Sequence, residues 1–114
     1  MRMSRYYNST NQETARQLLA DHGLSANLIR GFSTKEGQNW VGPKVGLLYV
    51  DAVHNDASVT ADVGAWLPHC VGFICFDDYN QRYPGVVAAV DRLCGDSLEW
   101  VELVGTRLAV TKVV

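Results

Sequence analysis

The strongest hydrophobic pattern in the chain is the near-continuous apolar run Val45–Val50, which meets Asp51 and, three residues on, His54. Aliphatic and β-branched residues without polar alternation predict a strand covered on both faces, as in a parallel α/β sheet. Val71–Phe76 repeats the pattern and ends in Asp77 and Asp78. Between the two runs, Val59, Val63, Trp66 and Leu67 recur at helical spacing; Asn55 or Asp56 caps this helix and Pro68 ends it. Pro84 stands at the first position of another helix, followed by Val86, Val87, Val90 and Leu93, with Gly95 as its stop. Leu98–Val104 and Arg107–Val113 flank Gly105-Thr106 and predict an antiparallel hairpin.

Upstream of the first strand the pattern is weaker. Thr10 and Glu13 have capping-box spacing, Ala15, Leu18 and Leu19 form an apolar stripe, and Gly23 supplies a C′ stop, so a helix is expected near 11–22. Asn27–Phe32 is a short strand-like run, and Thr34–Lys44 is a connection with room for one helical turn. Residues 1–9 are polar and lack periodicity, which predicts a flexible arm preceding a single domain over 10–114. The expected architecture is α/β, with parallel strands, an antiparallel carboxyl-terminal hairpin and helices on both faces.

Composition narrows the partners. A chain of 114 residues buries roughly two thirds of its unfolded surface, enough for one core. Its net charge is −2 and its ten Lys and Arg are scattered, so no basic nucleic-acid stripe is present. No apolar run approaches the roughly 20 residues that span a bilayer. Arg2 and Arg5 are followed by the polar stretch YYNSTNQE, not by the apolar segment of a signal peptide. Cys70, Cys75 and Cys94 are odd in number and lie in apolar settings, which predicts reduced core thiols in a cytoplasmic protein.

The order of elements, together with GLLYVDAVH (46–54), Asp62, Trp66-Leu67-Pro68, FDDY (76–79) and Pro84-Gly85-Val86, resembles the second half of a class I S-adenosylmethionine-dependent methyltransferase. The resemblance is to the small O-methyltransferase-like group whose fourth strand reads like LLFIDGDHSY, and it runs from about residue 11 to the end of the chain. It implies a partial Rossmann-like sheet. The glycine-rich G-x-G-x-G turn that such folds use to approach the cofactor has no counterpart here, and Val53 stands where the group has Asp. The Gly-Gly that precedes the group's fifth strand is Val71-Gly72.

In metal-using members of the group, one acid follows the fourth strand and a pair follows the fifth. On that resemblance Asp51, Asp77 and Asp78 are the expected ligands of Mg²⁺ or a similar cation, which prefers carboxylate oxygens. His54 stands where related enzymes carry a general base, and an imidazole suits proton removal at neutral pH. Gly31, Phe32 and Ser33 match the loop that lines the adenine pocket, with Asp51 beside the cofactor. The implied activity is methyl transfer from S-adenosylmethionine to a small-molecule hydroxyl. Two other readings keep the fold: a non-catalytic binding or assembly module, and one half of a split enzyme completed by a separate chain carrying the glycine-rich turn. An exposed edge on the central strand further predicts a homodimer.

Overall fold

A computed structural model describes residues 9–51 and 53–114. They fall into two compact units, one ending at Phe32 and the other running from Ser33 to Val114. The expected arm over 1–9 lies, apart from Ser9, outside the described residues. So does the Thr10 side chain on which the capping box depends.

In the first unit, helix α1 (Ser9–Asp21) ends as Gly23 predicted. Gly23 adopts φ +69° and donates its N–H to Ala20, while Leu24 donates to Leu19 at 2.8 Å, a Schellman closure of the last turn. The strand-like run over 27–32 is not a strand. A strand needs a ladder partner, and among the described residues this unit holds no other strand. The Leu28 carbonyl instead accepts the Gln12 side-chain amide at 3.0 Å.

The second unit is a four-stranded sheet with its helices. After a short helix α2 (Ser33–Gln38) come β1 (Val45–Val50), α3 (Asp56–Trp66), a 3₁₀ turn Leu67–His69 and β2 (Cys70–Phe76). Helix α4 (Pro84–Cys94) and the hairpin of β3 (Leu98–Val104) and β4 (Leu108–Val113) complete it. Strand order is β1-β2-β4-β3, with β1 and β2 parallel and the other two pairings antiparallel. The parallel pair joined by a helix and the antiparallel ending are as the sequence predicts. Gly105 takes φ +62° in the hairpin turn, a conformation that costs glycine little.

Burial follows the pleat. Ile74 and Phe76 of β2, Leu98 of β3 and Ala109 of β4 turn to one face and meet Val59 and Val63 of α3 and Val86, Ala89 and Val90 of α4. Thr111 belongs to this buried set because its hydroxyl donates to the Ile74 carbonyl at 2.7 Å. On the opposite face Leu47, Tyr49, Val71 and Phe73 are exposed. Close approach of β1 and β2 requires glycine at 72, where a Cβ would run into the Gly46 carbonyl.

Polar contacts fix how the helices sit. Asn55, not Asp56, caps α3: its side chain accepts the Ser58 N–H at 2.8 Å. That leaves Asp56 to take a two-pronged grip from Arg92 of α4, at 2.6 and 2.9 Å, while Arg92 also donates to Thr60. Asp62, buried in α3, accepts the Thr34 hydroxyl of α2 at 2.6 Å. Trp66 donates its indole N–H to the Ser33 carbonyl and packs on Trp40 with ring centroids 5.3 Å apart. Cys70 and Cys75 are buried and Cys94 half-buried, all three as free thiols with pKa values pushed up by burial. Among the described residues no helix is long and apolar enough to cross a membrane.

Phe76, fully buried at the centre of the core, makes the first prediction. Phe76→Ala is expected to destabilise the fold by about 3–5 kcal/mol in urea-unfolding experiments, through lost burial and the cavity left behind. The second concerns acid. The Arg92 and Thr60 hydrogen bonds hold Asp56 at a pKa of about 2, below its ordinary 3.8. A folded-state pKa below the unfolded one adds stability that is complete above the unfolded value and is lost as pH falls through the folded one. Stability measured from pH 5 to pH 2 is therefore expected to fall less steeply in Asp56→Asn than in the unmodified chain, the difference arising between about 4 and 2.

Candidate active site

Strands β1 and β2 run parallel with Val50 opposite Phe76, and the Asp77 N–H extends the ladder to the Val50 carbonyl at 3.0 Å. Both strands therefore release their chains at one edge, delivering Asp51 and Asp77 there together. The next residue, Asp78, has φ +61°, a left-handed backbone that costs a non-glycine residue about 1–2 kcal/mol. It is held there by its surroundings. The Asp78 carboxylate is nearly buried, with Oδ2 2.7 Å from His54 Nε2 and Oδ1 accepting from Arg107 Nη2 at 2.7 Å.

His54 comes from the loop between β1 and α3. Its ring stacks on Tyr83, with centroids 4.0 Å apart and planes 27° from parallel. Asp78 and Tyr83 thus hold the imidazole at one nitrogen and one face. The approach of α4 to this loop depends on Gly85: a Cβ there would lie 2.7 Å from the His54 carbonyl and 2.9 Å from the Asp56 nitrogen. A small cleft lined by Val50, Asp51, Val53, His54, Phe76 and Asp77 opens beside these groups.

Asp77 is spent differently. It accepts Arg107 Nε at 3.1 Å and Nη2 at 3.4 Å, as well as the Asp78 N–H at 2.8 Å. These bonds, Arg107 foremost, hold its carboxyl below the usual range. Arg107 is raised in turn, chiefly by Asp77. The Tyr49 phenol, donating to Asp77 from β1, is pushed up by desolvation first and by that carboxylate second. Tyr79 serves the loop's architecture: it donates to Asp91 at 2.6 Å, which pushes its phenol up to about 12, and it packs on Trp100.

The structure thus brings together four residues expected from sequence: Asp51, His54, Asp77 and Asp78. Among the described residues, Asp51, His54 and Asp78 each place one ligand atom within 4.8 Å of the others. Two carboxylates and an imidazole are a donor set that suits a divalent cation. Gly31 and Phe32 belong to the first unit, while Ser33 opens α2 and accepts the Trp66 indole on both its carbonyl and its hydroxyl. Arg107 was not expected. The signal for it lay in the hairpin: antiparallel pairing of Phe76 with Ala109 sets the residues before β4 beside those after β2, so a cation in that turn meets the acid pair.

A methyltransferase-domain family model matches residues 2–79, well over half of the chain. No curated protein matches it. Among solved structures, the O-methyltransferase NovP superposes with a TM-score of 0.71 at 16% identity, over 90% of this chain and 45% of the NovP chain. At that identity the likeness shows the fold, and the chain spans less than half of NovP's length. The chain therefore belongs to the methyltransferase-domain family and carries part of the class I S-adenosylmethionine-dependent methyltransferase fold.

Proposed function

We propose that this chain supplies the acceptor side of an S-adenosylmethionine-dependent O-methyltransferase acting on a small-molecule hydroxyl with help from a divalent cation. The observation that carries the reading is the convergence of Asp51, His54 and Asp78 at the carboxyl edge of two parallel strands. Open parallel sheets bind their ligands at that edge. When bound, the cofactor supplies an electrophilic methyl group and the cation lowers the pKa of the hydroxyl it touches.

The chain's own residues have separable tasks in this reading. Asp51 and Asp78, with Asp77, hold the cation, as the family resemblance implies. His54 Nε2 is occupied by Asp78, which leaves Nδ1 to accept the hydroxyl proton. With that proton held on His54, the substrate oxygen would be the nucleophile toward the methyl group that the cofactor would supply. Stacking on Tyr83 limits rotation of the base, a positioning contribution to catalysis. Gly31, Phe32 and Ser33 line the adenine pocket in this proposal, by the same resemblance.

A second copy of the chain completes the assembly we infer. β1 lies at the end of the strand order, so its outer backbone groups are unpaired among the described residues, and Leu47 and Tyr49 on it are exposed. An edge of this kind recruits another strand, most simply by two-fold pairing. Three free thiols support a cytoplasmic setting.

Calorimetric titration with S-adenosylmethionine and S-adenosylhomocysteine, with and without Mg²⁺, tests the first part. Micromolar affinity is expected; the absence of heat up to millimolar ligand overturns cofactor binding by this chain alone and leaves the binding module or the split-enzyme half. Sedimentation equilibrium tests the second: twice the chain mass is expected, and a monomer at all concentrations overturns the dimer.

A further inference from the structure

Asp77 and Asp78 are adjacent carboxylates with little exposure, their side chains 14% and 11% accessible. Two like charges so confined repel each other unless a cation lies between them. Arg107 supplies it from the β3–β4 turn. One nitrogen, Nη2, bridges the pair, reaching Asp78 Oδ1 at 2.7 Å and Asp77 Oδ2 at 3.4 Å, while Nε takes Asp77 Oδ1 at 3.1 Å. The second Asp78 oxygen is held by His54. Every carboxylate oxygen of the pair therefore already has a partner.

The anchorage of this arginine is uneven. Its backbone is fixed, since the Arg107 carbonyl accepts the Tyr79 N–H at 2.8 Å. Its side chain is 58% accessible, and the Asp77 and Asp78 oxygens hold only its guanidinium end. A divalent cation on these oxygens meets the guanidinium charge at close range, so binding of one at Asp77 and Asp78 disfavours the other.

We propose that Arg107 is a positioning residue that acts as the internal cation of the Asp77–Asp78 pair, keeping both carboxylates in place and yielding them only when a divalent cation displaces its side chain. The inference rests on the cation reading of the site given above. It assigns Arg107 two effects of opposite sign. It preserves the strained Asp78 geometry when no metal is bound, and it weakens metal affinity by making the metal compete.

Mn²⁺ binding, read by electron paramagnetic resonance, tests this without reference to activity, on the unmodified chain, Arg107→Gln and Arg107→Lys. Arg107→Gln is expected to bind Mn²⁺ up to about fivefold more tightly, the upper end of what removing a half-exposed ion-pair partner produces. Arg107→Lys, which keeps a charge but loses the fork, falls between the two. Equal or weaker binding by a folded Arg107→Gln, while the unmodified chain binds Mn²⁺, overturns the competition and leaves the cation site standing. No binding by any of the three, up to millimolar Mn²⁺, overturns both. Circular dichroism establishes that the variants are folded. Should Arg107→Gln fail to fold, the unmodified chain decides the matter: on titration with Mg²⁺ the Arg107 Nε–H resonance is expected to shift with the binding curve, and a resonance that stays put while Mg²⁺ binds overturns the proposal.

Discussion

The parallel pairing of β1 with β2 is the constraint on which the rest of this structure depends. It requires Gly72, because the Gly46 carbonyl occupies the space that a Cβ would need. Once the ladder is in register, with Val50 opposite Phe76, the positions of the acids are no longer independent. Asp51 and Asp77 leave the sheet at the same level and Asp78 follows in a left-handed turn. A shift of one residue would invert every side chain of β1 and separate these groups, so the register that turns Leu48 and Val50 toward the core also builds the site.

Charge then determines what this edge tolerates. Three carboxylates gather there, and two of them are nearly buried. The fold offsets their repulsion with one arginine from a hairpin turn and one histidine from a loop. Helix α4 contributes through Gly85, whose lack of a side chain lets the helix start pack against the loop carrying His54, and through Tyr83, which stacks on the imidazole. Elements distant in sequence thus hold the same few atoms, and this holding sustains an unfavourable backbone angle at Asp78. Such strain belongs to a site whose geometry is maintained by its neighbours.

The same economy of contacts links fold and family. The motif Asp62, Trp66-Leu67-Pro68 is structural throughout. Asp62 ties α3 to α2 through Thr34, Trp66 takes the Ser33 oxygens, and the 3₁₀ turn at Pro68 leads directly into β2. These residues set where β2 begins and hence where Asp77 and Asp78 emerge. The likeness to the O-methyltransferase NovP covers 90% of this chain and 45% of the other, so what is shared is this scaffold.

The sequence by itself determined the parallel pair, the helix between them, the helix after Pro84, the hairpin and the gathering of Asp51, His54, Asp77 and Asp78 at one edge. Each rests on a local signal: unbroken apolar runs, a cap, a proline, a glycine turn, and the rule that parallel strands end together. Local signals failed at 27–32, where strand-like residues lack a neighbour to pair with, and could not choose between Asn55 and Asp56 as the cap of α3. That choice belonged to Arg92, which claims Asp56 from another helix. Only the tertiary structure decided which oxygens of the acid pair face His54 and which face Arg107. Arg107 follows Asp77 by thirty positions and reaches it through antiparallel pairing of β2 with β4. Periodicity records which face a residue takes; it does not record what lies across from it.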